Sequence, residues 1–364
     1  VGQPYVYKFL WSPLLDRFSL PFADRRRGWI IISQSIVIGI LFLMAYQSPA
    51  KAPLILGVLA MMQAFASATQ DISIDAYRAD LLKPRERGLG AALSVGGYRI
   101  AMLVSGGLAL LLADYWGWKL TFFVMAILMG ISLASTVLSP SINLNVKAPV
   151  SLKEAVVEPF REFISRPNAL MILLFIVIYK LGDAFAGTLT TAFLLRGVEF
   201  TLTDVGLVTK SVGFAATLFG IFLGGVLLMK LGLFRSLLWF GILQAVTNLG
   251  FFIMSLAVKN YILMAVVIAL ENLAGGMGTA AFVALLMGLC NHRFTATQFA
   301  LFSALSAVGR VYVGPLAGVW VEQYGWSVFF AGTVAVAIPG LILLVKIKSS
   351  IKQADENGYQ GNDA

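Results

Sequence analysis

Histidine and cysteine are nearly absent from this chain, which has one of each, His292 and Cys290, among 364 residues. Most zinc and catalytic sites use these side chains, and a disulfide needs two cysteines. We therefore expect no metal site, no catalytic residue set and no internal disulfide. The two residues lie together at a predicted helix end, and we interpret them as structural background.

Charge is scarce as well. Only 12% of the residues are Asp, Glu, Lys or Arg and 59% are hydrophobic, whereas soluble domains carry about 25% charged residues. Apolar runs of about 20 residues, long enough to cross a hydrocarbon core of about 30 Å as a helix, recur along the whole chain. This pattern excludes a water-soluble enzyme and predicts an all-α, multi-pass integral membrane protein.

Apolar runs between charged or Gly/Pro breaks predict ten complete spans. Residues 1–11 resemble the end of one more, because Ser12-Pro13 leads into a charged loop. Eleven spans are therefore predicted in this chain. The ten complete spans are 29–47, 53–73, 89–112, 119–138, 169–190, 205–229, 235–257, 261–289, 297–320 and 326–346.

The net charge of +9 is distributed unevenly between the loops. Loops on one side of the predicted membrane hold 18 Lys and Arg residues, and loops on the other side hold only Lys51, Lys119, Arg196 and Lys259. Basic loops stay in the cytoplasm, so the 18-residue side is predicted to be cytoplasmic. No basic stretch interleaved with aromatic residues indicates nucleic-acid binding.

One long connection divides the chain. Within it, Ser151 and Glu154 have the spacing of a helix capping box, which predicts a short interfacial helix. That helix is either a clamp between two bundles or a membrane-surface linker, and the tail from Lys352 is expected to be disordered. The predicted domains are an N-terminal transmembrane bundle (1–138), a cytoplasmic linker (139–168), a C-terminal transmembrane bundle (169–346) and a polar cytoplasmic tail (347–364).

The two bundles share an internal repeat. Trp116-Gly117-Trp118 is echoed by Tyr324-Gly325-Trp326 at an offset of 208 residues, and Arg27 and Arg235 have the same offset. This predicts two copies of a six-helix unit. The partner of the span at 169–190 would precede Val1, so we expect the first helix to be missing from this chain.

Five ionisable residues are predicted near the membrane midplane: Arg99, Lys180, Asp183, Glu271 and Arg310. Each costs roughly 2.5–3.5 kcal/mol at the centre of an isolated helix, so they should face a cavity or one another. Lys180 and Asp183, at i,i+3 spacing, could also simply neutralise each other. Glu271 and Arg310 have no partner on their own helix and should look across the bundle.

Other charges lie nearer the predicted span ends. Asp71, Asp75 and Arg78 share one helix face, either as a structural charge lock or for proton handling. Lys8 and Lys210 are predicted to extend to the membrane surface.

The loop from Asp16-Arg17 to Arg25-Arg26-Arg27 places a basic cluster at the cytoplasmic mouth. It resembles the signature loop between the second and third helices of the major facilitator superfamily, with a longer spacer. The resemblance implies that these five residues form a gate latch and do not touch substrate.

The whole chain resembles one branch of that superfamily, the AmpG muropeptide permeases. The stretches that carry the resemblance are Lys8-Phe9-Leu10-Trp11-Ser12-Pro13 with Asp16-Arg17; Ser67-Ala68-Thr69-Gln70-Asp71-Ile72 with Asp75-Ala76; Gly96-Gly97-Tyr98-Arg99; Tyr179-Lys180-Leu181-Gly182-Asp183-Ala184-Phe185; Glu271-Asn272-Leu273 with Gly275-Gly276-Met277-Gly278; and Ala304-Leu305-Ser306-Ala307-Val308-Gly309-Arg310-Val311-Tyr312.

The resemblance implies a monomeric, proton-coupled importer of 1,6-anhydro-muropeptides in a Gram-negative inner membrane, surrounded by lipid, without a cofactor and linked to β-lactamase induction. Two alternatives stay open: an acetyl-CoA-type or other organic-anion carrier of the same superfamily, and a membrane-embedded enzyme or assembly subunit. The predicted substrate-binding residues are Lys180, Arg310, Arg99, Tyr179 and Asn272. The predicted proton-coupling residues are Glu271 and Asp183, ahead of Asp71 and Asp75.

Overall fold

The computed structural model describes residues 2–47, 52–142 and 148–356, except for the side chains of 308–312. Every regular element in these residues is helical. The α-helices are α1 (Gln3–Tyr7), α2 (Ser12–Arg17), α3 (Arg25–Ala45), α4 (Pro53–Leu81), α5 (Arg87–Leu103), α6 (Ala109–Leu138), α7 (Leu152–Ile164), α8 (Ala169–Ile178), α9 (Leu181–Ala192), α10 (Leu202–Val208), α11 (Phe214–Leu231), α12 (Leu233–Leu256), α13 (Tyr261–Leu289), α14 (Thr295–Lys346) and α15 (Lys348–Glu356).

Short π-helical turns widen three of the long helices, at Val104–Leu108, Phe193–Gly197 and Thr209–Gly213. Within the described ranges, eight segments are long and apolar enough to cross a membrane. The all-helical, multi-pass architecture expected from the hydrophobic runs is confirmed.

The 208-residue repeat is present in the fold. Helices α3 and α12 begin at Arg25 and Leu233, and α5 and α14 begin at Arg87 and Thr295, each pair separated by this offset. Helices α4 and α13 are both 29 residues long and also begin 208 residues apart. We call the copies the N-terminal half (to residue 138) and the C-terminal half (169–346).

Two glycines make equivalent turns inside α6 and α14. Gly117 has φ 78° and ψ 162°, and Gly325 has φ 78° and ψ 171°. Residues with a Cβ rarely adopt this positive φ. At both positions glycine therefore allows the chain to leave one membrane helix and begin the next without an intervening loop. The aromatic-glycine motifs of the sequence repeat therefore mark helix-to-helix turns.

The helix predicted after Ser151 is present as α7, and its interfacial position stays a prediction. The Ser151 Oγ accepts a hydrogen bond from Glu154 N at 3.0 Å and caps the helix. Helix α7 packs against both α2 and α14, so it contacts both halves. The prediction of disorder from Lys352 is wrong for residues 352–356, which belong to α15; this helix packs on α12 and α13, and 357–364 lie outside the described residues.

The halves meet through α5 against α11 and α13, and through α2 and α4 against α14. A close approach joins Gly88 to Gly225, where a Cβ on Gly88 would lie 2.8 Å from the Gly225 carbonyl oxygen. This tight contact is near the membrane face that carries the starts of α3, α5 and α8 and the ends of α11 and α13. We call this membrane face the basic face, because described members of the basic loop set, such as Arg25 and Arg87, lie at these helix starts.

Candidate functional site

A polar cavity of about 130 Å³ lies between the halves. Arg99 is twelve residues into α5 and Glu271 ten residues into α13, so both are roughly 15–18 Å from a helix end at 1.5 Å per residue. This depth agrees with the predicted midplane position. The cavity is lined by Val95 and Arg99 from the N-terminal half, and by Asp183, Thr217, Ile221, Glu271, Asn272, Gly275, Gly276 and Thr279 from the C-terminal half.

Lys180 is positioned by a break in its membrane helix. Helix α8 ends at Ile178 and α9 begins at Leu181, so Tyr179 and Lys180 form the joint between them. The Tyr179 hydroxyl donates to the Leu237 carbonyl oxygen at 2.7 Å within the C-terminal half. The structure therefore does not bring Tyr179, a predicted substrate contact, to the cavity lining; its ring and hydroxyl anchor the joint instead.

Lys180 and Asp183 form the ion pair that their spacing allows, with Nζ and Oδ2 3.4 Å apart. Lys180 Nζ also lies 3.4 Å from Thr279 Oγ1, and Gln244 Nε2 lies 3.4 Å from the same Asp183 oxygen. Both charged side chains are only partly buried. Asp183 lines the cavity, whereas Lys180 does not and approaches it through its contacts with Asp183 and Thr279. The two form a loosely bonded pair of opposite charges.

Glu271 has a different environment. Asn272 Nδ2 donates to Glu271 Oε2 at 2.9 Å, and Thr217 Oγ1 donates to Asn272 Oδ1 at 2.9 Å. Among the residues with described side chains, no cation forms an ion pair with Glu271. The predicted substrate residue Asn272 thus links Glu271 to helix α11 across the cavity wall.

A second charged cluster lies inside the N-terminal half. Lys8 is 6% exposed and forms ion pairs with Asp71 and, at 3.5 Å, with Asp75. Arg78 pairs with Asp75 on the same helix. The prediction that Lys8 extends to the membrane surface is wrong, because these two carboxylates hold it inside the half. Asp71 and Asp75 are thereby placed apart from the central cavity.

The halves are joined at the basic face by a group that we call the lock. Asp16 is fully buried; Arg26 Nη1 donates to its Oδ1 at 2.8 Å, and Thr297 N and Oγ1 donate to its Oδ2 at 2.8 and 2.6 Å. Thr297 lies in the first turn of α14, where free backbone N–H groups favour an anion. An aspartate of the N-terminal half therefore caps a helix of the C-terminal half.

Asp80 extends the lock. Arg26 Nε donates to Asp80 Oδ2 at 2.8 Å, Thr295 Oγ1 donates to Oδ1 at 2.6 Å, and His292 Nδ1 lies 3.0 Å from the same Oδ1. His292 is thus not background, as the sequence interpretation had it, but part of this contact. Sequence reasoning also missed Asp80. The feature that could have indicated it is its position as a carboxylate near the end of a membrane span, next to a basic loop.

The other three arginines predicted for the gate have three different sets of contacts. Arg25 Nη1 donates to the Asp16 carbonyl oxygen at 2.8 Å and its Nη2 approaches the His292 carbonyl oxygen at 3.4 Å, so it joins the lock. Arg17 Nη1 donates to the Pro149 carbonyl oxygen at 2.9 Å, before α7. Arg27 bonds to carbonyl oxygens at the end of α6, within its own half.

The remaining predicted residue, Arg310, has its side chain outside the described residues, so its role stays a prediction. Gln244, Thr217 and Thr279 also contribute polar groups that the sequence interpretation missed, since isolated amides and hydroxyls in apolar helices give no pattern. No group of three or more His, Cys, Asp or Glu that could hold a metal occurs among the described residues.

Comparison with known proteins identifies relatives along almost the whole chain. The family model of the Major Facilitator Superfamily matches residues 5–312. The Anhydromuropeptide permease of Escherichia coli K12 is 52% identical over 358 residues, 98% of this chain and 73% of that protein. A putative transporter AmpG 4 of Rickettsia felis is 33% identical, over 95% of this chain and 86% of the relative.

Solved structures agree on the fold. The human organic anion transporter MFSD10 has a TM-score of 0.72 at 13% identity, over 94% of this chain and 82% of its own. The transporter FucP in the outward conformation has a TM-score of 0.70 at 12% identity, over 94% and 88%.

Two pseudo-repeated helical halves, a charged cavity between them and a lock on one face define a secondary transporter that works inside a membrane. The chain belongs to the major facilitator superfamily, in its AmpG family of permeases. It is a multi-pass inner-membrane protein.

Proposed function

We propose that this protein imports 1,6-anhydro-muropeptides, the GlcNAc-anhydroMurNAc-peptides of cell-wall turnover, together with protons. The observation that carries the proposal is the 52% identity to the Escherichia coli Anhydromuropeptide permease over 98% of this chain. The basic face is cytoplasmic in this proposal. The protein acts as a monomer without a cofactor or a catalytic step, and the proton gradient supplies the energy.

The cavity chemistry supports an anionic, polar ligand. Arg99 and Lys180 can bind carboxylates of the peptide stem, while Asn272, Thr217 and Thr279 can bond to sugar hydroxyls and amides. At about 130 Å³ the cavity is far smaller than the roughly 300–1,000 Å³ typical of ligand pockets. A muropeptide therefore enters only when the halves separate on the face opposite the lock.

Proton coupling follows from competition for Lys180. A ligand carboxylate that binds Lys180 takes the cation away from Asp183, and a carboxylate in a low-dielectric site without a cation is more readily protonated. Glu271, which has no described cationic partner, is the second proton carrier. Substrate and proton are thus bound together and released together when the lock opens.

Uptake by proteoliposomes tests this function. The purified protein should accumulate radiolabelled anhydromuropeptide when the outside is acidic, and only equilibrate it without a pH gradient. Excess acetyl-CoA should not compete. Equal accumulation with and without the pH gradient would contradict proton coupling. Competition by acetyl-CoA would favour the organic-anion carrier.

A further inference from the structure

A second cavity, of about 310 Å³, lies at the basic face between the halves, and transport as proposed above does not use it. One wall is the start of α5 and the turn before it, the second is formed by α11, α12 and α13, and the third is α15. Its chemistry is set by three pairs of lining residues: Arg85 and Arg87, Leu228 and Met229, and Asp355 and Glu356.

Arg87 points to an anionic ligand. It is 6% exposed, its Nη1 donates to the Ala354 carbonyl oxygen at 2.9 Å, and its buried Nε has no hydrogen-bond partner. No carboxylate of the described residues forms an ion pair with it. Asp355 lines the same cavity, but its Oδ2 accepts a hydrogen bond from Leu233 N at 2.9 Å. Buried charges are normally paired, and among the described residues no carboxylate bonds directly to this guanidinium, although Asp355 lines the same cavity.

The remaining walls narrow the chemistry of that anion. Arg85 lines the same cavity and adds a second guanidinium, and guanidinium groups suit the oxygens of a phosphate. Glu356 and the second carboxylate oxygen of Asp355 supply negative charge on α15, which complements an ammonium group. Together these groups suit a zwitterionic ligand that carries a phosphate and an amine.

The position of the cavity favours a lipid as the source. Leu228 and Met229 form an apolar wall at the end of α11, and Met229 is 45% exposed on the outer helix surface. Helix α11 ends at Leu231, so this wall is at the depth where acyl chains meet headgroups. The charged cavity can hold a phospholipid headgroup, and the exposed apolar side chain beside it can contact the acyl chains.

We propose that this cavity binds the phosphoethanolamine headgroup of a phospholipid in the leaflet at the basic face. The phosphate lies on Arg85 and Arg87, and the ammonium faces Asp355 and Glu356. Because both halves and α15 form the walls, separation of the halves at this face dismantles the site. Bound lipid therefore stabilises the conformation in which the basic face is closed.

Native mass spectrometry of the purified protein tests the site with phosphatidylethanolamine, phosphatidylglycerol and soluble glycerophosphoethanolamine. Arg87→Gln should retain phosphatidylethanolamine at least tenfold more weakly. The matched control is Lys230→Gln, since Lys230 is exposed at the end of the same helix as Met229 but does not line the cavity. Equal retention by these two variants overturns the proposal.

Glu356→Gln gives a test that does not depend on the folding of the Arg87 variant. Removing the exposed carboxylate should reduce the preference for phosphatidylethanolamine over phosphatidylglycerol severalfold, without weakening phosphatidylglycerol binding. An unchanged preference overturns the zwitterion assignment. Binding of the soluble compound without binding of the lipid overturns the lipid source.

Discussion

Individual residues decide which charges are available to a ligand. Lys180 has partners in Asp183 and Thr279, but both distances are 3.4 Å, whereas charge-assisted hydrogen bonds are typically 2.7–2.9 Å long. A ligand carboxylate at the shorter distance can therefore replace these contacts at little cost. The loose pair is consistent with a binding group held in position and ready to exchange partners.

Replacement of Lys180 by alanine should weaken binding of an anionic muropeptide by about tenfold to a hundredfold, since a hydrogen bond to a charged group contributes about 1.5–3 kcal/mol. Binding of the neutral disaccharide core should change by less than threefold. Isothermal titration of the purified variant measures both. The control is Lys119→Ala, since Lys119 is exposed and its ammonium lies over the Tyr46 ring. Equal losses for both ligands would show that Lys180 only stabilises Asp183.

Glu271 and Asp183 differ in their partners, and each can be neutralised separately. Glu271→Gln and Asp183→Asn keep the shape of the side chain but cannot carry a proton. Whichever residue couples transport, its amide should abolish accumulation driven by a pH gradient and preserve exchange of labelled for unlabelled muropeptide. Full pH-driven accumulation by both variants would contradict the assignment and direct the test to Asp71 and Asp75.

At the scale of elements, the lock joins a loop of one half to a helix start of the other. Asp16 accepts hydrogen bonds from Arg26 and from the first turn of α14, and Asp80 accepts from Arg26 and Thr295. These bonds are buried, and loss of one partner of a buried pair is strongly destabilising. The lock therefore holds the two halves together at the basic face in this structure.

Asp16→Asn should shift the protein toward the conformation that is open at the basic face. The lost charge weakens its hydrogen bonds by about 1.5–3 kcal/mol, which corresponds to roughly a tenfold to hundredfold change in the equilibrium. Distances between spin labels on the two halves measure the shift. Transport should slow while ligand affinity changes only a few-fold.

Asp24→Asn is the matched control, because Asp24 caps α3 and its contacts stay within the N-terminal half. A change confined to ligand affinity in Asp16→Asn, or an equal shift in both variants, would argue against the lock.

At the scale of the whole molecule, orientation in the membrane can be tested on the native background. Cys290 is the only cysteine in the sequence, and burial raises the pKa of its thiol well above the usual range. Maleimides react with the thiolate, so Cys290 should not react in the folded protein at pH 7–9. Labelling of an introduced cysteine can therefore be measured without replacing Cys290.

Ala148→Cys should be labelled only from the cytoplasm, and Val258→Cys, in the loop between α12 and α13, only from the periplasm. Labelling of both should rise from pH 7 to pH 9 as ordinary thiols near pKa 8.5 ionise. Parallel labelling of the parent protein, before and after unfolding, gives the background. Periplasmic labelling of Ala148→Cys would reverse the predicted orientation.

Most of the fold could be predicted from the sequence because membrane helices are specified locally. A span needs only enough consecutive apolar residues to cross the bilayer with its backbone bonded internally, and both properties are read from one segment. The repeat around Gly117 and Gly325 was also visible, because each glycine must adopt a positive φ. The helix at α15 was missed because its polar sequence forms a helix only by packing on α12 and α13.

The sequence by itself determined the membrane class, the two-fold repeat, the uneven distribution of basic loops and the family. The tertiary structure decided which charges meet: Lys8 reaches Asp71 across 63 positions and Asp16 reaches Thr297 across 281. Such pairs depend on how helices pack within a half and on which face the halves close. The hydrophobicity of a span can be calculated from one segment of the sequence. An ion pair between the halves depends on how the halves are arranged in space.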